Sequence, residues 1–331
     1  MTPEQGRKVI EVRGLKKRFG AVEAVAGIDF DVWEGELFGF LGPNGAGKST
    51  TINMLVGLAR PDAGTIRIGG IDCSTNPKAA QHLMGVVPDE NNLYPELTGF
   101  DNLCFCGALY GMTRRDRESR ARELLGRFGL TAAGNRAFGG YSKGMKRKLT
   151  IAAGIIHSPA LLFMDEPTTG IDVASARQIR QLIAELNACG TTIFLTTHYI
   201  EEAERLCQRI AFIVNGRIVR TDTVQNLMRR TDGRHIVQFT VTGGAGRLRE
   251  AVMAEFPTLQ CHAVSDTEIR LESPEFVRIG PLVRLIEGCG AAVIEARLMR
   301  PSLEEVFVEI TGLDADVLKR EQERTRGGGG L

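Results

Sequence analysis

The chain has 331 residues, enough for about two domains with a sizeable hydrophobic core. Lysine and arginine together number 41, and aspartate and glutamate number 40, so this balance argues against nucleic acid as the main partner, because phosphate backbones require a basic surface. The 7 cysteines form an odd number without metal-ligand spacing, which argues against a disulfide framework or a zinc site and favours the reducing cytoplasm.

A glycine-rich loop at Gly42–Thr50, GPNGAGKST, fits the pattern G-x-x-x-x-G-K-[ST]. A short apolar run precedes it and predicts a buried strand, and helically spaced apolar residues follow it. Such a loop points backbone N–H groups at phosphate oxygens, and the helix start adds its dipole. We expect Lys48 to reach the β and γ phosphates of a nucleotide and Ser49 to ligate Mg²⁺. The other loop residues predicted to bind the nucleotide are Asn44, Gly45, Gly47 and Thr50.

The segment at about 91–158 is predicted to be mostly helical, as a subdomain inserted into the phosphate-binding domain. Its arginines are interleaved with acidic residues, which is typical of a solvated helix face. Towards its end lies YSKGM, in which Ser142 and Gly144 open an apolar helix whose first N–H groups can face a phosphate. The alternative is an ordinary capped helix followed by a solvated run, Lys146–Lys148, and the segment alone does not decide between the two.

Two acidic residues follow a buried strand in the stretch ALLFMDEPTTGID. In a phosphate-binding domain, Asp165 would lie beside Ser49 and hold Mg²⁺ through water, and Glu166 would accept a proton from the attacking water. The alternative is a strand that ends in two solvated acids. A second strand ends near His198, which at the carboxyl edge of such a sheet can face the γ-phosphate, although a lone histidine is more often structural.

The part after Met228 has a different pattern, with strands and helices in alternation. It predicts a small α+β domain at 232–313, for which a ferredoxin-like arrangement is one candidate. Ser302 and Glu305 fit a capping box at the start of its last helix. The glycine-rich end, 314–331, is predicted to be a disordered tail. No apolar run reaches the roughly 20 residues that span a bilayer, so we expect no membrane-crossing segment.

The ordered motifs GPNGAGKST, YSKGM, LLFMDEPTTGID and TTH resemble those of the ATPase subunits of ABC transporters, over roughly Val9–Met228. The C-terminal part resembles the appendage of the drug-export type. The resemblance implies an α/β P-loop NTPase domain at 8–228 that dimerises head to tail around two ATP molecules, with a copy of itself or a paired subunit. Hydrolysis would drive a separate integral membrane permease, most often an exporter, and the subunit would be cytoplasmic and peripheral on the inner face of the membrane.

The resemblance also assigns further residues. Phe19 matches the aromatic residue that stacks on adenine, although it can instead be a strand-core side chain. Ser142 and Gly144 match the signature motif that binds the partner subunit's ATP, while the lysine and methionine of YSKGM depart from the usual LSGGQ as in drug-export relatives. Asp172 matches the loop that crosses the dimer interface.

One position departs from the family pattern. The strand end GVVPDEN carries Asp89 where the family usually has a glutamine that assists Mg²⁺ and orients the attacking water. A carboxylate is a hard oxygen ligand, so Asp89 can serve Mg²⁺ and accept a hydrogen bond from the water. The alternative is a solvated acid at the start of a loop.

The catalytic sheet is expected to contain these strands: Val9–Val12, Leu37–Leu41, Gly85–Pro88, Leu161–Asp165, Thr192–Thr196 and Ile210–Asn215.

Other functions compete with the transport hypothesis. A soluble, non-transport ABC ATPase in DNA repair or translation is the main alternative, but the chain has neither a long heptad run nor a second P-loop. A free-standing ATP-sensing regulator would keep the same motifs.

The C-terminal domain has three candidate roles: dimerisation, sensing of a ligand, or contact with the permease. The apolar stretch NNLYPELTGFDNL is predicted to receive a short helix of the permease, with an ordinary junction core as its alternative.

Overall fold

The computed structural model describes residues 6–90, 92–228, 235–299 and 302–312. The chain divides into two compact units, the first made of residues 1–224 and 307–331 and the second of residues 225–306. This division differs from the boundaries predicted at 228 and 313, because the last helix, Leu303–Thr311, starts in the second unit and ends in the first. The tail predicted at 314–331 lies outside the described residues.

The larger sheet of the first unit has the order β10-β9-β3-β8-β7-β6 among the described residues. Its neighbours pair in parallel, except for β10, which is antiparallel to β9. The middle strands are buried along their whole length, as expected for a parallel sheet covered on both faces. The carboxyl ends of the parallel strands therefore meet at one edge. The strands are β3 (Leu37–Leu41), β6 (Met84–Val87), β7 (Leu161–Asp165), β8 (Thr192–Thr197), β9 (Arg209–Val214) and β10 (Arg217–Thr223).

A second, antiparallel sheet of the first unit has the order β2-β1-β4-β5. Its strands are β1 (Lys8–Phe19), β2 (Val22–Trp33), β4 (Ala63–Ile68) and β5 (Ile71–Asp72). The assignment of Val9–Val12 to the catalytic sheet is therefore wrong. The physical reason is visible in β1, where Ile10 and Val12 are fully buried and the residues between and beside them are not. Such alternation is typical of a strand with one covered face.

The helices of the first unit carry the phosphate loop and the inserted subdomain. The inserted subdomain is helical in the structure, and Thr98 and Thr113 cap its first two helices by accepting hydrogen bonds from Asp101 N and Asp116 N. The helices are α1 (Lys48–Leu55), α2 (Pro77–Gln81), α3 (Gly99–Leu109), α4 (Arg114–Arg127), α5 (Lys143–Gly154), α6 (Val173–Ala188) and α7 (Ile200–Leu206), and the unit ends at the first residue of α8 (Val224–Leu227), most of which belongs to the second unit. None of the helices in the described parts of the chain is both long and apolar enough to span a membrane.

In the described residues of the second unit, an antiparallel sheet has the order β12-β13-β11-β14, with one helix between β11 and β12 and one between β13 and β14. The chain order β-α-β-β-α-β is that of a ferredoxin-like arrangement. Its core includes Val237, Phe239 and Val241, which are fully buried on one side of β11. The elements are β11 (His235–Val241), α9 (Ala245–Glu255), β12 (Gln260–Ala263), β13 (Glu268–Ser273), α10 (Ile279–Gly288) and β14 (Val293–Met299).

The final helix, α11 (Leu303–Thr311), begins with the predicted capping box. Ser302 Oγ accepts a hydrogen bond from Glu305 N at 3.2 Å, and Glu305 Oε2 accepts one from Ser302 N at 3.1 Å. This reciprocal pair satisfies donors that the first turn of a helix otherwise leaves without partners, so the predicted helix start is confirmed.

Candidate nucleotide-binding site

The glycine loop joins β3 to α1 and packs too tightly for side chains at two of its positions. A Cβ atom at Gly42 would lie 2.2 Å from Ile213 O, and one at Gly47 would lie 2.3 Å from Ala24 O. Gly47 also has a φ angle of 104°, which L-residues rarely adopt. The glycines therefore let the loop pack between the start of β2 and the end of β9, and the loop leads directly into the first turn of α1.

A cleft of about 410 Å³ opens at this loop. It collects the predicted loop residues and two predicted acids from the neighbouring strand ends, since β6, β7 and β3 end at the same edge of the sheet. The predicted residues that line it are Asn44, Gly45, Gly47, Lys48, Ser49, Thr50, Asp89 and Glu166. Sequence reasoning thus predicted residues from three separate parts of the chain that line one cavity in the structure.

Lys48, Glu166 and His198 form one buried cluster beside this cleft. The Lys48 ammonium lies 3.3 Å from Glu166 Oε1, and His198 Nδ1 lies 2.8 Å from Glu166 Oε2. Lys48 Nζ also donates to the carbonyl of Gly42 at 2.7 Å. The three residues are between 3% and 7% exposed. A buried carboxylate held between two donors cannot swing freely, so its position relative to the phosphate loop is fixed.

The backbone at Glu166 is strained. Its φ angle is 48°, a value that is uncommon for a residue other than glycine and that concentrates at functional sites. Thr196, in β8, stabilises this turn, because its hydroxyl accepts a hydrogen bond from Glu166 N and donates one to Asp165 Oδ1. Thr169 Oγ1 adds a bond of 3.1 Å to Glu166 Oε2. Neither threonine was predicted from the sequence.

The charge state of Glu166 follows from these contacts. Burial raises the pKa of Glu166, but the hydrogen bond from His198 and the charge of Lys48 act against it, so that the pKa is lowered from its ordinary value. Glu166 is therefore an ionised carboxylate at neutral pH. An ionised carboxylate is the form that can accept a proton from water, and the alternative of two solvated acids at the strand end does not fit a buried Glu166.

Asp89 lies two residues after the end of β6 and lines the cleft. Desolvation in the cleft raises the pKa of Asp89, although its outer surface remains exposed to solvent, and the charges of Glu166 and Asp165 raise it further. The Ser49 hydroxyl lines the same cleft. Hydroxyl and carboxylate oxygens are the hard ligands that Mg²⁺ prefers, and the ion usually completes its shell with phosphate oxygens and water. The donor set around the phosphate loop therefore fits Mg²⁺ bound together with a nucleotide.

Ser142, Gly144 and Asp172 lie close together and do not line the cleft, and Gly144 is buried against the start of α6. Ser142 caps α5 by accepting a hydrogen bond from Met145 N at 3.2 Å, and Asp172 caps α6 by accepting one from Ser175 N at 2.9 Å. A Cβ atom at Gly144 would lie 2.3 Å from Ser175 Oγ, so only glycine lets the two helix starts approach. Ser142 and Asp172 are exposed.

Phe19 is the last residue of β1, and it is 55% exposed. Its partner across the strand pair is Val22, which lines the cleft. Lys17 Nζ lies 5.4 Å from the centre of its ring. The alternative reading of Phe19 as a strand-core side chain is wrong, because more than half of the residue faces solvent next to the cleft.

Arg147 contradicts part of the alternative reading of this segment, in which Lys146–Lys148 is a solvated run. The residue is 5% exposed, and its guanidinium donates hydrogen bonds to backbone carbonyls at the ends of β6 and β7. A signal for this was present in the sequence, since Gly144 and Ile151 lie three residues before it and four residues after it on the apolar face of α5. The cluster of three cations hid that spacing.

Comparisons with known proteins agree with this site. The sequence profile of the family described as ABC transporter matches residues 25–169. The chain is 37% identical over 311 residues to the linearmycin resistance ATP-binding protein of Bacillus subtilis (strain 168), covering 92% of this chain and 98% of that protein. It is also 37% identical to the daunorubicin/doxorubicin resistance ATP-binding protein of Streptomyces peucetius, covering 96% and 97%. A solved dimeric ATP-binding cassette in a post-hydrolysis state, bound to ADP and Pi, matches with a TM-score of 0.60 and 26% identity, covering 65% of this chain and 98% of that one.

Proposed function

Because the chain belongs to the family of ABC transporter ATP-binding proteins, we propose that it hydrolyses Mg²⁺-ATP as a head-to-tail dimer and thereby drives a separate membrane permease that exports its substrate. The chain is an ATPase of the export branch of this family. Its relatives named for resistance or export support the direction of transport. As the partner of a permease, the subunit acts at the cytoplasmic face of the membrane.

The observation that carries the proposal is the buried contact of Glu166 with both Lys48 and His198 beside the cleft. In the proposed role, Lys48 neutralises phosphate charge and Glu166 accepts the proton of the attacking water. His198 orients the carboxylate through Nδ1, which leaves Nε2 on the other side of the ring for the γ-phosphate. Ser49, Asp165 and Asp89 would hold Mg²⁺, which would supply a positive charge to offset the negative charge of the phosphates.

Substitution of Glu166 by glutamine tests this role. The change removes the proton acceptor but keeps the shape of the side chain, so ATP hydrolysis should fall by about 10²-fold or more, the range of a lost general base. ATP affinity should be retained or increase, because a negative charge 3.3 Å from Lys48 Nζ disappears. The measurements are the steady-state rate of phosphate release and equilibrium ATP binding.

The matched control is Glu201→Gln, since Glu201 lies on α7 with its side chain 88% exposed. We expect its hydrolysis rate to stay within about twofold of wild type, as for most surface substitutions. A Glu166→Gln protein that hydrolyses ATP at the wild-type rate would remove Glu166 from the role of general base.

The separation of the two surfaces supports dimerisation. Ser142 and Gly144 start α5 away from the cleft of their own chain, and Asp172 lies beside them. In a head-to-tail dimer, the N–H groups at the start of α5 face the nucleotide in the partner's cleft, and Asp172 lies at the subunit boundary. The dimeric state of the related cassette supports this arrangement.

An exposed apolar surface on the inserted subdomain is the proposed docking site for the permease. Tyr94, Phe105 and Leu109 are 50%, 39% and 70% exposed, and the rings of Tyr94 and Phe105 pack edge to face at 5.2 Å. Of the residues in the stretch predicted to receive the partner helix, Leu93 is buried and does not belong to this exposed surface. Exposed aromatic and aliphatic side chains in contact with each other are the anchors that a short partner helix requires.

Cysteine cross-linking tests this surface. The background protein has serine at its exposed and half-buried cysteines, Cys73, Cys104, Cys106, Cys189 and Cys289. In that background, a cysteine introduced at Tyr94 or at Leu109 should form a disulfide or a bridged adduct with the permease in membranes. A cysteine at Val219, which is 43% exposed on β10, is the control and should give no adduct. If no position between 92 and 109 cross-links, the permease docks elsewhere.

A further inference from the structure

We propose that Arg147 is a positioning residue. It fixes the ends of β6 and β7, which carry Asp89, Asp165 and Glu166, relative to each other, and it connects both strand ends to α5. The part of this inference that involves the partner's nucleotide rests on the proposed dimer. The part that involves the strand ends rests only on contacts within one chain.

The contacts of Arg147 define the role. Nη2 donates to the carbonyl of Asp165 at 2.7 Å, and Nε donates to the carbonyl of Pro167 at 2.8 Å, so the guanidinium clasps both sides of the Glu166 turn. Nη1 donates to the carbonyls of Pro88 and Asp89, the latter at 3.2 Å. A single side chain therefore connects the end of β6 with the end of β7.

The chemistry of the side chain explains why an arginine is needed. A guanidinium presents N–H donors in a rigid planar fork, whereas the single ammonium of a lysine cannot reach carbonyls on opposite sides of such a fork. The group also brings a positive charge close to Asp89, Asp165 and Glu166, which otherwise repel each other. Its bonds go to backbone atoms, so it fixes where these acids lie without using their carboxylate oxygens. The carboxylates remain available for the metal and the water.

The position of Arg147 on α5 gives the fork a second connection. Ser142 caps this helix, and Lys146 N donates to Ser142 O at 2.8 Å, so the first turn is hydrogen-bonded continuously up to the residue before Arg147. An α-helix is stiff over such a distance. A displacement of the helix start by the partner's nucleotide is therefore transmitted to the strand ends that surround this subunit's own nucleotide. Arg147 is the residue through which α5 contacts both strand ends.

The test is the Arg147→Lys variant, with Lys148→Ala as its control. Lys148 lies next to Arg147 on α5, but its Nζ donates to Gln178 Oε1 on the surface at 2.7 Å. For Arg147→Lys we expect kcat for ATP hydrolysis to fall by about 10- to 100-fold, the size of effect that a shift of about 1 Å in a catalytic group produces. The Mg²⁺ concentration for half-maximal rate should rise, while ATP affinity without Mg²⁺ stays within about twofold, because Arg147 does not line the cleft.

Two measurements separate positioning from a loss of folding. Rates are expressed per mole of ATP bound in the absence of Mg²⁺, so that unfolded protein does not count, and thermal unfolding is followed for both variants. A second substitution, Arg147→Gln, keeps two amide donors without the charge. It should have a kcat no higher than that of Arg147→Lys, because it provides fewer donors and no positive charge among the acids.

The outcomes are distinct. Superimposable kcat and Mg²⁺ curves for wild type and Arg147→Lys would overturn the proposal. A parallel loss of metal-free ATP affinity and kcat, or an equal loss in Lys148→Ala, would also overturn it, in favour of a general structural role for α5. If wild-type protein itself does not hydrolyse ATP, the proposed function fails first, and that result is visible before any variant is compared.

Discussion

The cleft around Lys48 and the surface around Ser142 are two parts of the proposed nucleotide site, and they differ in almost every physical property. In the cleft, Lys48 and Glu166 are charged, buried and in contact with each other, and the backbone of Glu166 is strained. On the other surface, Ser142 and Asp172 are exposed, and their side chains cap their own helices. No strained residue is found among these capping residues in the described chain.

The difference indicates which chemistry a chain performs by itself. Charged groups that act within one subunit repel each other and lose hydration when they are buried. They are kept in place by buried ion pairs, hydrogen bonds and a strained backbone. Groups that serve a partner must stay exposed and regular until the partner arrives. A helix start with satisfied caps is the form that such a group takes in an isolated subunit. The substitutions below test whether the two surfaces differ in this way.

The largest effect is expected from Lys48→Ala in the cleft. The change removes the charge that faces the phosphates, so hydrolysis should fall by about 10²- to 10³-fold, as for the loss of one preorganised donor. ATP affinity should fall as well, in contrast to Glu166→Gln. Phosphate release and ATP binding measure the two effects, and Lys78→Ala, at an exposed position of α2, is the control. Unchanged ATP affinity in Lys48→Ala would contradict the phosphate cradle.

The second effect tests the Ser142 surface through a residue that preserves its local role. Aspartate caps helices as well as serine does, so Ser142→Asp should leave the melting temperature near that of wild type. The new negative charge would face the partner's ATP, and a pair of charges about 4 Å apart near a protein surface interacts by about 4 kcal/mol. We expect hydrolysis to fall by at least about tenfold, measured together with ATP-dependent dimerisation.

Ser142→Ala provides the converse case. It removes the cap and should cost about 1 kcal/mol of unfolding free energy without adding charge. If Ser142 only caps its helix, the alanine variant is the less stable of the two and both hydrolyse ATP normally. A normal rate in Ser142→Asp would therefore favour the ordinary capped helix and would show that Ser142 does not face the partner's nucleotide.

A smaller effect is expected from Phe19→Ala at the edge of the cleft. Stacking of a base on an aromatic ring contributes about 1–3 kcal/mol in alanine substitutions, so ATP affinity should fall by roughly tenfold while kcat at saturating ATP is kept. Phe276→Ala is a matched control, because Phe276 is also an exposed phenylalanine, 69% exposed, and lies in the other unit. If Phe19→Ala binds ATP as tightly as the control, adenine does not stack on Phe19.

Most residues that line the cleft could be named from the sequence because they belong to local patterns. The glycine loop, the acids after a buried strand and the histidine after the next strand each have their own spacing, and a parallel sheet brings such ends together without further information. The helical subdomain and most elements of the second unit followed from periodicity in the same way. The strand β12 was missed, since its four residues, QCHA, are too few for a visible alternation.

Non-local relations could not be predicted. Alternation shows that Val9–Val12 is a strand, but not which of two sheets it joins, because that depends on its neighbours. Arg147 was missed as a buried residue since its acceptors include Pro88 and Asp165, which are 59 and 18 residues away along the chain. The same holds for the packing of Phe212 against Phe307, with ring centres 5.3 Å apart, by which the end of α11 lies against the first unit's β9.

The smallest effect is expected from Asp89→Asn, at the point where the cleft departs from the usual family pattern. The change removes a negatively charged oxygen ligand for Mg²⁺. It also relieves the electrostatic repulsion between Asp89 and the carboxylates of Glu166 and Asp165, whose charges raise the pKa of Asp89. The two effects oppose each other, and the residue is exposed on its outer side, so solvent screens both. We expect the loss of a ligand to prevail and the Mg²⁺ concentration for half-maximal hydrolysis to rise by a few-fold, roughly the effect of 1 kcal/mol. ATP binding without metal should be unchanged.

The ATPase rate is measured against Mg²⁺ concentration, with Glu90→Gln as the control, because Glu90 is the next residue but does not line the cleft. Curves for Asp89→Asn and wild type that superimpose would leave Asp89 without a role at the metal, and the cleft would then hold Mg²⁺ through Ser49, Asp165 and the nucleotide alone.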